Sequence, residues 1–171
     1  MNFDHLSSTD FEELCYDLLL DLGYRDLSWR KGTALASSPS DQGRDIEAKY
    51  MRDDADGQIF QERWFIECKH WKQGVPPTEL ASALTWCAAE RPDVLLIVVS
   101  GFLSNPAKNW IEQYKINNTP SLKIRIWERK DLERLLMERT LLLRKYKLTT
   151  EFEFVNILHP LHLEYIRKTP L

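Results

Sequence analysis

The chain has 171 residues, 43% of them apolar and 29% charged, and a formal net charge of −3. That is the make-up of an ordinary globular domain, long enough to bury a core of its own. It holds no apolar run of about 18 residues, which excludes a transmembrane helix and leaves no membrane partner to expect.

Met1–Asp10 carries acids and no Lys or Arg, so no signal peptide is expected. Cys15, Cys68 and Cys87 are odd in number and widely spaced. They read as small core residues of a reducing compartment, without a disulfide framework or a zinc motif, and a cytoplasmic location is the expectation. Charge is unevenly spread. Residues 1–57 carry 13 acids and 6 bases, residues 58–171 carry 13 acids and 17 bases, and nine bases meet four acids within 123–147. That basic stripe reads either as a ledge for phosphates or as a solvated helix face.

In chain order, Phe11, Leu14, Cys15, Leu18, Leu19 and Leu22 recur at helical spacing, with Gly23 at the expected C-terminal cap, which predicts a helix over 9–22. A strand follows over 25–30. Gly32 to Gly43, rich in Ser, Ala, Pro and Gly, predicts a loop long enough to be functional. Strands are predicted near 44–51 and 59–69, joined by Asp54-Ala-Asp-Gly57, since Asp-Gly is a hairpin-turn signal. Pro76-Pro77 ends the sheet segment and opens a helix over 79–90. Val94–Val99 is a continuous apolar run, as in a strand buried on both faces. Ser104-Asn105-Pro106 supplies a cap and a first-turn proline for a helix to about Asn117. Leu122–Trp127 alternates as a strand, and a single helix is expected over 131–145.

The order α, three strands, α, β, α, β, α implies an α/β fold with a mixed sheet flanked by helices. One domain over 1–148 is expected, and 149–171 reads as a C-terminal extension or a linker to a further domain.

Side chains alternate across a hairpin, so Asp45, Glu47 and Lys49 share one face of the first strand, and Phe65, Glu67 and Lys69 share one face of the second. A register pairing the ends away from the turn sets Asp45 beside Glu67 and Lys69. Two carboxylates and an ammonium at one end of a sheet suit phosphodiester hydrolysis. Magnesium takes one or two carboxylates plus water and phosphate oxygens, and a lysine can position water and stabilise developing charge. Mg2+ is therefore the expected cofactor, with Mn2+ able to substitute, and Asp45 and Glu67 are the candidate metal ligands.

These residues carry a resemblance. Phe11-Glu12 with Leu18 to Tyr24, Asp41-Gln-Gly-Arg-Asp45-Ile46, Phe65-Ile-Glu67-Cys-Lys69, and Val94 to Ser100 with Gly101-Phe102, Ser104 and Ala107 resemble the Mrr-type restriction endonucleases of the PD-(D/E)xK superfamily. The likeness spans roughly 9–136, and the family's αβββαβ core agrees with the order read above. It implies that Asp45 and Glu67 ligate metal, that Lys69 is the catalytic lysine, and that Glu12 is the acid of the first helix. The expected function is Mg2+-dependent cleavage of DNA, of restriction or antiviral-defence type, as a homo-oligomer or as one domain of a longer chain. An inactive nuclease-like domain that binds nucleic acid or a partner is the alternative. Family members often carry Gln where this chain has Glu67, which leaves the number of ions open.

Rival readings exist for each residue. Glu67 and Lys69 alone could be a surface strand pair contributing under about 1 kcal/mol. Glu12 could complete a capping box with Thr9. Glu13 is expected to face water, Glu47 to be a neighbour of the site, and Asp41 to form a turn. His70, Trp71 and Lys72 follow the lysine and are candidates for the rim of a nucleic-acid cleft, Trp71 reading equally as packed core. Arg129 and Lys130 are candidate phosphate contacts or solvated charges. His159 and His162 are read as structural.

Overall fold

The computed structural model describes residues 1–29, 45–117 and 122–149. The loop expected over Gly32–Gly43, with Asp41 in it, and His159 and His162 lie outside the described residues. Helix α1 (Ser8–Asp21) leads into strands β1 (Arg25–Trp29), β2 (Ile46–Asp53) and β3 (Ile59–Lys69). A short strand β4 (Gly74–Val75) and a 3-10 turn (Pro77–Leu80) precede helix α2 (Ala81–Glu90) and strand β5 (Val94–Val99). Then come β6 (Phe102–Leu103), α3 (Asn105–Asn117), β7 (Lys123–Trp127), α4 (Arg129–Leu136) and α5 (Thr140–Lys145).

The main sheet runs β1-β2-β3-β5-β7. The three early strands pair antiparallel, and β5 and β7 join them in parallel. This is the mixed α/β sheet that the sequence predicts, because a hairpin needs only a tight turn whereas parallel neighbours need a crossover helix. Strand β3 occupies 59–69 as predicted, and Gly57 supplies the turn before it with φ +80, a conformation glycine adopts without steric cost.

Every residue of β5 is buried. One face of the sheet, formed by Trp64, Ile66 and Cys68 with Leu96 and Val98, packs against Phe11, Leu14 and Leu18 of α1 and Leu132 and Leu136 of α4. The opposite face, with Phe65, Leu95, Ile97 and Val99, packs against Leu84 and Cys87 of α2 and Ala107 and Ile111 of α3. Each large side chain so buried contributes about 1.5–3 kcal/mol. Cys15, Cys68 and Cys87 are free thiols within these cores.

Three boundaries differ from the sequence reading. Helix α1 is capped by Ser7, which exchanges hydrogen bonds with Asp10, so the capping box does not use Thr9 and Glu12. The helix expected from 79 begins instead as the 3-10 turn, and α2 starts at Ala81. The helix expected over 131–145 is two helices, broken at Arg139, whose φ −108 and ψ 67 are not helical. Arg139 binds Asp21 of α1 and the Leu135 carbonyl, and α5 then turns Leu143 into the same core as Leu132 and Leu136.

Candidate active site

Strands β2 and β3 pair with Ile46 opposite Ile66, so Asp45, one step further from the turn, stands across from Glu67. The Asp45 N–H donates to the Ile66 carbonyl at 3.0 Å, which extends the ladder to this residue. Its carboxylate accepts the Cys68 N–H at 2.6 Å, which fixes the side chain against the end of β3. Lys69, two residues beyond Glu67 on the same face, places Nζ 2.7 Å from Glu67 Oε1. The structure thus brings Asp45, Glu67 and Lys69 together at one end of the sheet.

Glu67 is only 2% exposed, and its Oε2 is buried with no hydrogen-bond partner. An unmet carboxylate oxygen out of water costs on the order of 1–3 kcal/mol or more. Burial pushes the Glu67 carboxyl above its ordinary pKa, Lys69 opposes this, and the charges of Glu12 and Glu79 add to it. Asp45 is likewise raised, first by burial and then by Glu67 across the ladder, against the pull of the Cys68 N–H. Burial works against the Lys69 charge, yet Glu67 holds its pKa above the ordinary value. The arrangement is a pair of crowded carboxyls with one neutralising ammonium and one unfilled oxygen. A cation there would relieve both the crowding and the orphaned oxygen.

Glu12 extends from α1 to accept the Trp29 Nε1–H at 3.2 Å, and its charge bears on both Asp45 and Glu67. It is not the capping acid, so that rival explanation falls away. Glu13 faces elsewhere and pairs with Lys145 at 3.0 Å, and Glu47 pairs with Arg63 at 3.3 Å. Among the described residues no group of three or more His, Cys, Asp or Glu side chains is disposed to hold one ion. A metal ion bound here would have two carboxylates from the protein and its other positions filled by water and substrate oxygens, a donor set that fits magnesium.

The flanking candidates separate into two groups. His70 is packed: its ring lies 5.4 Å from that of Phe11, its Nδ1 is 2.9 Å from Ser100 Oγ, and burial lowers its pKa. Trp71, Lys72, Arg129 and Lys130 line one pocket of about 420 Å³, Trp71 being half-buried and also packed against the core as its rival reading had it. Arg129 Nε is buried without a partner, while its other end lies 3.9 Å from Asp4 and over the Phe3 ring.

Two residues at the site escaped the sequence reading. Glu79, on the 3-10 turn after Pro77, adds negative charge at both Glu67 and Lys69. The only signal for it was an acid two residues after the prolines that redirect the chain. Ser100, buried at 4% exposure, ties the ends of two parallel strands together by accepting the Trp71 N–H at 2.9 Å. Its signal was a polar residue ending the longest apolar run.

Comparison with known proteins bears on the family and the fold. A family model described as a restriction endonuclease, the Mrr catalytic domain, matches residues 3–136. Among solved structures, the DNA modification-dependent restriction endonuclease AspBHI is similar with a TM-score of 0.55 at 15% identity, over 77% of this chain and 31% of its own. The MspJI restriction endonuclease, solved in complex with a 27-mer oligonucleotide, has a TM-score of 0.47 at 12% identity, over 86% of this chain and 30% of its own. This chain thus spans less than a third of either. No curated protein matches. With the family model covering the α1 helix, the Asp45–Glu67–Lys69 end of the sheet and β5 through α4, the chain belongs to the restriction endonuclease family, as an Mrr-type catalytic domain.

Proposed function

We propose that this domain is an endonuclease that hydrolyses DNA phosphodiester bonds with Mg2+, Mn2+ being able to replace it, as the cutting module of a restriction or antiviral-defence protein. The observation that carries the reading is the orphaned, buried Glu67 Oε2 across the ladder from Asp45, with the Lys69 ammonium on the other oxygen. Asp45 and Glu67 hold the ion, and Glu12 adds to the negative field that draws it. The chemistry the ion supplies when bound is polarisation of the phosphoryl group and acidification of an attacking water.

The chain's own groups do the rest. The Cys68 N–H keeps Asp45 aimed at the site, so no side-chain ordering remains to be done when substrate arrives. Lys69 needs to move only slightly from Glu67 to meet the attacking water or a phosphoryl oxygen, where its charge stabilises the transition state. Trp71, Lys72, Arg129 and Lys130 lie on the side to which β3 leads and face the DNA; His70 supports them from beneath.

The test is cleavage of supercoiled, linear, modified and single-stranded DNA with Mg2+, with Mn2+ and with chelator. Metal-dependent cutting by the wild type, lost in Lys69→Ala, is the expected result. DNA binding without any cutting under all these conditions would make the domain a nuclease-like binding module.

A further inference from the structure

The pocket beside the site lies at the carboxyl ends of three parallel strands, where β3 runs into Trp71, β5 into Gly101 and Phe102, and β7 into Arg129. Crevices at such strand ends are where open α/β sheets place ligands. Two aromatic side chains form part of its wall. Phe102 is 53% exposed, and its ring lies so close over Gly74 that a Cβ there would meet it at 2.9 Å. Trp71 is held from behind by Gly101, whose Cβ would meet the Trp71 carbonyl at 2.6 Å. Both glycines let the chain approach closely; the Phe102 side chain stays at the surface, while Trp71 is half-buried and packs against the core beneath.

The cations are better placed for an outside anion than the acids are for an outside cation. Glu128 is taken by Lys108 and the Leu103 N–H, Glu133 by the N-terminal amine, and Asp4, the third acid of the lining, lies 3.9 Å from Arg129. Lys72 and Lys130 are exposed and have no ion pair among the described residues, and Arg129 keeps a buried Nε without a partner. The Arg129 N–H donates to the Gly101 carbonyl and the Asp131 N–H turns back on Glu128, so an anion would be held chiefly by side chains. About 420 Å³ is at the low end for a ligand site, enough for one nucleotide and far too little for a duplex.

We infer that this pocket takes a single unstacked nucleotide of the DNA strand, its base on Phe102 and Trp71 and its phosphate among Lys72, Arg129 and Lys130. Trp71 follows Lys69 by two residues, at most about 7 Å of chain, so the nucleotide lies beside the bond to be cut. The inference rests on the nuclease reading for the identity of the strand, and the experiment keeps the two apart.

Labelled duplexes, one fully paired and one with a single-nucleotide bulge, are titrated with the full chain without metal and followed by fluorescence anisotropy. The wild type is expected to favour the bulge by about fivefold or more, the range of one stacked base. Phe102→Ala, an exposed position, is expected to erase that preference with an unchanged melting temperature. Lys130→Ala is expected to weaken both complexes. A wild type with no preference, or a preference that survives Phe102→Ala, overturns the inference. Displacement of the bulged duplex by an equal concentration of free deoxynucleoside monophosphate overturns the assignment to a strand. Lys69→Ala is expected to keep the preference while losing cleavage. A wild type that never cuts yet prefers the bulge would remove the nuclease reading and leave the pocket standing.

Discussion

Lys69 sits 2.7 Å from Glu67 Oε1 on a carboxylate that is 2% exposed, so its ammonium compensates charge in the resting protein. On the proposed function, Lys69→Ala should lower the cleavage rate at least about 100-fold, the loss typical of a missing transition-state donor. DNA affinity should stay within about twofold, as measured by binding without metal. A drop in affinity that accounts for the whole loss of rate would make Lys69 a phosphate anchor. Asp45 separates two effects that the sequence could not. Removing its charge relieves repulsion with Glu67, but removing the side chain also strips the Cys68 N–H of its acceptor. Asp45→Asn should therefore melt at or above the wild-type temperature without metal, whereas Asp45→Ala should fall below Asn by on the order of 1 kcal/mol. Both should lose Mg2+-dependent cleavage, and a well-folded Asp45→Asn protein that still cuts would end the ligand assignment.

At the scale of elements, what could be read from the sequence is what local pattern encodes. The period-two alternation of β2 and β3 and the Asp-Gly turn were enough to set Asp45 across from Glu67, because a one-residue slip would have turned Ile46 and Ile66 out of the core. The apolar run of β5 marked the centre of the sheet for the same reason. What stayed hidden depends on contacts between distant parts of the chain. The break at Arg139 is made by Asp21, more than a hundred residues away, and the apolar spacing continues through it since α4 and α5 serve one core. Glu79 and the pair of β4 and β6 have no periodicity at all, being placed by where Val75 and Leu80 bury. The close packing at Gly101 offers a check on that second kind of information. Gly101→Ala would press a methyl group against the Trp71 carbonyl. It should cost about 1–3 kcal/mol, the usual penalty of overpacking, and be seen as a melting temperature lower by several degrees. An unchanged melting temperature would mean that the strand ends shift freely and that the pocket wall is not preset.

At the scale of the whole molecule, the question is how a chain of net charge −3 would hold a polyanion. The nine bases within 123–147 look like a ledge in the sequence, but the folded chain spends most of them on itself. Lys123 pairs with Glu62, Arg134 with Asp131, Arg139 with Asp21, and Lys145 with Glu13 and Asp17. Arg125 lies over the Trp64 ring. Arg139 and Lys145 tie the segment before α5 and α5 itself to the acidic first helix, and Lys123 ties β7 to β3. Among the described residues, the cations gathered at the pocket are Lys72, Lys130 and Arg129, the last 3.9 Å from Asp4. Binding through these three alone should displace about three counterions, so the plot of log affinity against log salt should have a slope near −3, about −0.9 for each phosphate met. Lys130→Ala should reduce the magnitude of that slope by about one, and Lys145→Ala should leave it unchanged since that lysine is already bound to α1. A slope of −6 or steeper in the wild type, or an equal loss from Lys145→Ala, would mean that the stripe opens its internal pairs to lie along the DNA, and the pocket would no longer be the principal phosphate contact.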